Sequence, residues 1–150
     1  MGTLDAAEIV TPPNDSWEAW TMGCPFEKEN GTVYRLKGFE PTKDEFVRIG
    51  FRVREQNCNF RGGCHGGWIA TLCDIAMGRN VHAVVGETGT PTMSMTVDFV
   101  RGAVAGDWLE SRARVVRRTR RVIFMEASLI GPKGEVAHCS GLFAAPNPES

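Results

Sequence analysis

Between residues 59 and 74 the chain sets an asparagine, a histidine and a carboxylate, Asn59, His65 and Asp74, among four glycines, Gly62, Gly63, Gly66 and Gly67. Gly66 and Gly67 open what reads as a helix. At such a start the first backbone N–H groups lack intrahelical partners, and the positive end of the helix dipole points outward. That combination suits an oxyanion developing on an attacked carbonyl. Asp74 lies within a run from Trp68 to Met77 that is otherwise apolar or small. A carboxylate in such surroundings must be paired, hydrogen-bonded or raised in pKa. It sits too deep in the run for a helix cap, and no basic residue stands three or four positions away (Ala70, Thr71, Met77, Gly78). A desolvated carboxylate of this kind is fitted to general-base work. His65 joins the candidate site because Asn59 and the glycines flank it. His82 and His138 have no such company and read as structural.

The elements that must position these groups follow from pattern. A helix apolar on every side is a buried helix, and the central one is expected to end near Val81–Val85. Downstream, Thr92–Val100, Trp108–Val116, Val122–Ile130 and Val136–Ala144 are strand-like. Breakers separate them at Gly102–Gly106, Arg117–Arg120 and Gly131–Gly134, which predicts an antiparallel meander. No second long helix is present to build a parallel βαβ sheet. Upstream, Val47–Val53 alternates as a half-buried strand and Thr32–Leu36 is a second, with Pro41–Glu45 as a polar connection. Residues 1–22 read as an N-terminal arm and a short helix: a loose arm through Pro12-Pro13, then Asn14-Asp15-Ser16 capping a helix that carries Trp17 and Trp20 on one face and ends at Gly23-Cys24-Pro25. The expectation is an α+β single domain over 1–150, one central buried helix wrapped by a curved antiparallel sheet of five or six strands. One sheet face cannot cover such a helix on all sides, so a partner must bury the rest.

Composition narrows the function classes. With 42% hydrophobic and 23% charged residues and a net charge of -1, the chain shows no basicity pointing to nucleic acid and no acidic tail. Its longest apolar run is short of a membrane span. The first residues carry neither a signal peptide nor a myristoylation pattern, Ala6 standing where Ser or Thr is wanted. Five cysteines (Cys24, Cys58, Cys64, Cys73, Cys139) without a C-x-x-C pair are expected to be reduced thiols in the cytoplasm. Cys58, Cys64, His65, Cys73 and Asp74 crowd together in sequence, but their spacing matches no zinc signature, and no metal is expected.

The pattern Asn59-x-x-Gly62-x-x-His65-Gly66-Gly67, with Asp74 nine residues after the histidine and then Thr92-Met-Ser-Met-Thr-Val-Asp-Phe, resembles the hotdog-fold thioesterases of the phenylacetate-degradation type. The closing Gly134-Glu-Val-Ala-His-Cys-Ser-Gly141-Leu-Phe is similar to that family's last strand pair. The resemblance covers 59–144 well and the first fifty-five residues poorly. It implies a hotdog fold and hydrolysis of an acyl-CoA thioester in a site at a dimer interface, with CoA present only as part of the substrate and no other cofactor. It further implies Asp74 as general base or nucleophile, Asn59 and His65 as positioners of water and thioester, Gly66 as the carbonyl-polarising N–H, and Thr92 as the hydroxyl assisting the carboxylate. Gly67 belongs to the same turn. Trp68 and Phe60 flank the motif, with an acyl pocket or plain packing open to both.

Six arginines and no acid lie between Arg112 and Arg121. Arginine is a good bidentate ligand for phosphate, so Arg120 is the candidate contact for CoA. The resembled family often has Gly-Arg or Gly-Lys at this turn, where this chain has Thr119-Arg120. Helical rise separates His65 from Asp74 by about 13 Å along the axis, too far for one intra-chain site. Either the two serve different sites or they meet across a symmetric interface, in a dimer or a dimer of dimers. Two other readings keep the ligand: a hotdog hydratase or dehydratase on an acyl thioester, and a non-catalytic acyl-CoA-binding protein. The latter has no need of a buried base.

Overall fold

The computed structural model describes residues 11–39, 46–85 and 89–146. In chain order the elements are β1 (Trp17–Ala19), α1 (Pro25–Asn30), β2 (Tyr34–Leu36), β3 (Ile49–Arg52), a 3-10 turn at Glu55–Asn57, α2 (Gly66–Val85), β4 (Thr92–Phe99), β5 (Trp108–Arg118), β6 (Val122–Gly131) and β7 (Gly134–Ala144). The strands form one antiparallel sheet in the order β1-β2-β3-β5-β6-β7-β4. It curves around α2, which packs against β4, β5, β6 and β7. This is the expected α+β hotdog architecture, with seven strands among the described residues rather than five or six.

The core follows from strand alternation. Ile123, Met125, Ala127 and Leu129 of β6 and Ala137, Cys139 and Phe143 of β7 are buried beneath α2, while Ser128 and His138 face outward. Trp68, Ile69, Leu72, Cys73, Ala76, Met77 and Val81 of α2 meet them. Burying each large side chain contributes roughly 1.5–3 kcal/mol. The remaining stripe of α2, Ala70, Thr71, Asp74, Ile75 and Gly78, is only half-buried. The sheet of a single chain therefore leaves one helix face under-covered, as the all-round apolar pattern required.

Three expectations are corrected. Trp17 and Trp20 do not share a helix face: Trp17–Ala19 is a strand paired with β2. Trp17 packs edge-on to Trp108 at 5.1 Å, and the N–H of Trp20 donates to Val33 O (2.8 Å), so sheet pairing and a distant aromatic override the local three-residue spacing. The Asn14 side chain closes a turn, accepting from the Ser16 N–H (2.9 Å), instead of capping a helix. The helix begins where it was expected to end, with Cys24 as its cap residue and Pro25 in its first turn, because proline's fixed φ and missing N–H suit that position.

The second correction concerns β3, which is shorter than Val47–Val53 and has Ile49, Gly50 and Phe51 all buried. It lies between β2 and β5, with both faces covered. The third concerns β4. It does not join β5 in a hairpin but pairs with β7 at the far edge, Thr92 opposite Phe143 and Phe99 opposite Ala137. Only β5–β6–β7 form a meander. Most of the expected arm and the whole of the Pro41–Glu45 connection lie outside the described residues, as do 86–88 of the turn after α2.

One buried ion pair fastens the N-terminal elements to α2. Arg79 bonds both carboxylate oxygens of Glu27 on α1, donates to Trp20 O (2.6 Å), and stacks its guanidinium over the Trp20 ring at 5.0 Å. Both charged side chains are buried, and each compensates the other's desolvation.

Candidate active site

The glycine loop is cross-tied on both flanks before α2 begins. Cys58 and Cys64 face each other in a short antiparallel bridge, and Gly63 pairs with Val104. The Cys64 N–H donates to Ala103 O (2.7 Å) and the His65 N–H to Asn57 O (2.8 Å). Within the loop, Asn59 Oδ1 accepts from the N–H groups of Arg61 (2.9 Å) and Gly63 (3.3 Å). The Asn59 carbonyl oxygen thus shapes the turn, which leaves its amide nitrogen as the end that could donate to a ligand.

His65 caps α2. Its carbonyl accepts from the Trp68 and Ile69 N–H groups (2.9 and 3.0 Å), and its Nδ1 accepts from the Gly67 N–H (2.9 Å). With Nδ1 occupied as an acceptor, a neutral His65 carries its proton on Nε2. Gly67 is therefore a capped donor. A methyl on its Cα would stand 3.1 Å from His65 Nδ1, so a side chain there would push the imidazole aside. The Gly66 N–H makes no hydrogen bond among the described residues and remains the open donor of this terminus. The Phe99 ring, from the end of β4, lies over Gly66, 3.4 Å from where a Cβ would be.

Asp74 sits two turns further along α2. Its Oδ1 accepts from Thr92 Oγ1 at 2.6 Å, a bond from the first residue of β4 to the middle of the helix. Of the alternatives open to a carboxylate in an apolar run, hydrogen bonding is the one observed. Oδ2 is left for another partner. Asp74 and Thr92 are brought together, and so are Asn59, His65, Gly66 and Gly67, but the two groups are separate within the chain.

A cavity of about 280 Å³ opens beside the helix start, lined by Phe26, Asn30, His65, Gly67, Trp68 and Thr71 among others. Trp68 is buried, its ring 5.1 Å from Phe51 and 5.9 Å from Phe26, and its Nε1 has no acceptor among the described residues. Phe60 is 93% exposed, with the Arg61 guanidinium over its ring. Plain core packing is therefore ruled out for Phe60. Arg120 is exposed in the β5–β6 turn. There Thr119, where the resembled family often has glycine, closes the turn: its Oγ1 accepts from the Val122 N–H (2.9 Å), and among the described residues no residue other than glycine has a positive φ.

The cysteines and carboxylate that crowd in sequence diverge in space. Cys73 faces the core, where its hydrogen bond with Cys139 and its burial raise its pKa. Asp74 turns to Thr92. Burial pushes the Cys64 thiol up to about 12, and burial is also the main cause of the rise at Cys58. Among the described residues no three His, Cys, Asp or Glu side chains gather as metal ligands would.

Three contributors escaped the sequence reading. Phe26 and Thr71 line the cavity, and Phe99 covers Gly66. A Pro in the first turn was the available signal for α1 and hence for Phe26. Phe99 arrives from a strand whose place in the sheet is set by tertiary pairing, and no local signal marked it.

Residues 61–138 match the thioesterase superfamily. The chain belongs to that superfamily. A Pseudomonas aeruginosa protein named as an esterase is 36% identical over 100 residues, spanning 65% of this chain and 74% of that one. Among solved structures, the Escherichia coli PaaI protein of the phenylacetic acid degradation operon superposes with a TM-score of 0.71 at 21% identity, over 83% of this chain and 86% of that one. A Streptococcus pneumoniae thioesterase solved with coenzyme A gives 0.61 at 21% identity, over 72% and 84%. At these identities the superpositions show the hotdog fold, and the superfamily match makes the protein a thioester hydrolase. Among the described residues no helix is long and apolar enough to cross a membrane.

Proposed function

We propose that the protein hydrolyses an acyl- or aroyl-CoA thioester to the free acid and CoA, with Asp74 as the base and the Gly66 N–H as the oxyanion donor. The observation that carries this reading is the Thr92–Asp74 hydrogen bond of 2.6 Å. It fixes one carboxylate oxygen and leaves the other to take a proton from water. The resulting hydroxide adds to the thioester carbonyl, and the oxyanion is held at Gly66. Collapse of the adduct breaks the C–S bond, and the CoA thiolate leaves with the proton that Asp74 had taken. Asn59 and His65 position the carbonyl and water. Asp74 acting instead as nucleophile would use the same residues, with water attacking the acyl-carboxylate anhydride.

Because Asp74 and Gly66 lie about 12 Å apart along one helix axis, the working site is composite. One protomer supplies Asp74 and Thr92, and its partner supplies Asn59, His65 and Gly66. The half-buried stripe of α2 and the open edge of β4, where Met93 and Phe99 are exposed, support a homodimer joined along this side. A dimer of dimers would keep the same sites. Arg120 binds a phosphate of CoA, and Phe60 and Trp68 bound the acyl end. The bound CoA of the pneumococcal neighbour supports this substrate class. CoA is substrate here, and the reaction needs no metal or redox cofactor. Five free cysteines fit a cytoplasmic setting.

Thiol release from a panel of acyl-CoAs is the deciding measurement. Free CoA above the uncatalysed rate is the expected result. Tight binding of the panel without thiol release would instead establish an acyl-CoA-binding protein, and hydration of an enoyl-CoA without release would establish a hydratase.

A further inference from the structure

We propose that Cys58 and Cys64 form a thiol–disulfide modification site, closed by exchange with a low-molecular-weight disulfide and reopened by a small thiol, that ties the glycine loop at its base. The two residues stand directly opposite each other in a short antiparallel bridge. The hydrogen bonds that make this bridge belong to their neighbours. The Asn59 N–H donates to Gly63 O (2.8 Å), and the His65 N–H donates to Asn57 O (2.8 Å). Cys58 and Cys64 are therefore a non-hydrogen-bonded pair. In such a pair the opposed Cα atoms come within about 4.5 Å, and both side chains leave the ribbon on the same face. Disulfides span Cα separations of about 4.4–6.8 Å. The bridge falls at the short end of that range, where an S–S bond closes without a change of register and is strained enough to be readily reduced.

Cys58 Sγ donates to Arg54 O (3.5 Å), and Cys64 Sγ lies 4.0 Å from His65 O, weak thiol contacts that a covalent bond would replace. Both thiols feel the charge of Asp107, and Cys64 also feels that of Cys58, as their shared face requires. Access is unequal: Cys58 is half-buried and borders the groove beside His65 and Gly67, whereas Cys64 is only 7% exposed. The Cys58 thiolate therefore attacks the small disulfide first, which gives a mixed disulfide and releases one small thiol. The Cys64 thiolate then attacks the Cys58 sulfur, the protein S–S bond forms, and the second small thiol leaves. The two protons of the cysteines depart on the two released thiols. Two-electron reduction of the small disulfide balances oxidation of the pair. Burial raises both thiols, so the exchange is slow near neutrality. The bond would join the two arms of the loop immediately before His65 and the open Gly66 donor. The remaining cysteines differ: Cys24 is exposed, and Cys73 and Cys139 are sealed in the core.

The test uses the full chain with Cys24→Ser, which removes the exposed thiol. It is equilibrated, from both the reduced and the oxidised side, in mildly alkaline glutathione buffers of graded thiol-to-disulfide ratio. After alkylation and unfolding, trypsin cuts at Arg54, Arg61 and Arg79, so Cys58 and Cys64 fall on separate peptides, 55–61 and 62–79. The expected product is these two peptides joined, with Cys73 alkylated, and their separation when dithiothreitol is added. Adding Cys64→Ser should stop the exchange at a glutathione adduct on Cys58, and adding Cys58→Ser should leave Cys64 free. In the folded, oxidised protein, cleavage after Arg61 should slow several-fold, because the protease needs the loop to open. Free thiols at both positions in every buffer, a Cys58 adduct that Cys64 never displaces, or a link through Cys73 would each overturn the site. An unchanged rate of cleavage in the linked protein would overturn the tie on the loop. The bond does not rest on the thioesterase reading, so a chain that releases no thiol from acyl-CoAs could still form it.

Discussion

The two halves of the candidate site, one at the start of α2 and one in its middle, are built in opposite ways. The start is backbone chemistry: a Gly66 N–H presented by a loop tied at Cys58, Asn57, Ala103 and Val104 and capped by His65. The middle is a single side chain, Asp74, oriented by one hydrogen bond from one strand residue. A donor fixed by many ties survives the loss of any one of them, whereas an acceptor resting on one group does not. Loss of one backbone tie of the loop should therefore cost less than loss of the Thr92 bond, whereas His65 and Asp74, which themselves meet the reacting groups, are both needed.

The largest effect is expected at Asp74. Asp74→Asn should lower kcat for CoA release by about a thousandfold, within the range typical of a lost general base, while the protein stays folded by circular dichroism. Near-wild-type turnover would remove Asp74 from the chemistry. Whether the two halves belong to one site across two chains is tested by mixing lesions. His65→Ala and Asp74→Ala are each expected to be inactive as homodimers. Mixed dimers, isolated through two different tags, contain one site with both lesions and one with none, and should regain about half the wild-type activity. No recovery would mean that the composite site is wrong.

Thr92→Ala sharpens the contrast on the acceptor side. Hydrogen bonds to charged groups contribute about 1.5–3 kcal/mol, so kcat should fall by roughly ten- to a hundredfold, with Tm little changed because Thr92 is exposed. An unchanged kcat would leave Asp74 oriented by something other than β4. Arg120→Ala, away from both halves, should raise KM for CoA esters several-fold with kcat nearly constant, the pattern of lost uniform binding, and should not affect a short thioester without the nucleotide. Equal losses on both substrates would mark a packing role.

The smallest effect belongs to the donor half at high pH. Burial raises the Cys64 thiol from 9.0 to about 12 in the folded chain. A folded pKa above the unfolded one contributes stability that is complete below about pH 9 and is lost as pH climbs toward 12. Thermal melts between about pH 8.5 and 10.5 should therefore show a decline that Cys64→Ala flattens. Parallel declines in both proteins would exclude Cys64 as the source.

What the sequence made legible follows the same division. The glycines of 62–67, the misplaced carboxylate at 74 and the strand-like segments after 92 are local patterns, and the structure puts α2 and β4–β7 within a few residues of them. The pair Asp74–Thr92 came from the family resemblance, and a 2.6 Å hydrogen bond joins the two side chains. Short or distant features were not legible. A six-residue helix such as α1 has no room for periodicity, and Trp17 and Trp20 mimic a helical spacing until β2 and Trp108 are present to pair and pack with them. The position of β4 beside β7, and with it Phe99 over Gly66, depends on which edges remain open once the meander has formed. The resemblance implied Asn59 as a positioner of water and thioester, and its side-chain oxygen is also used by the loop itself.

The placement of β4 also has a consequence for how the molecule comes into being. β5, β6 and β7 are joined by successive short turns, but β4, which follows α2, pairs only with β7, the last strand among the described residues. Such sequence-distant pairings form late, because loop closure must be met before the contact rewards it. Thr92 is the first residue of that strand, so the hydrogen bond that orients Asp74 depends on that pairing. Without β7 there is no edge for β4 to join, and the carboxylate is left without its aligning hydroxyl. Alignment of the catalytic carboxylate is therefore coupled to closure of the sheet's far edge.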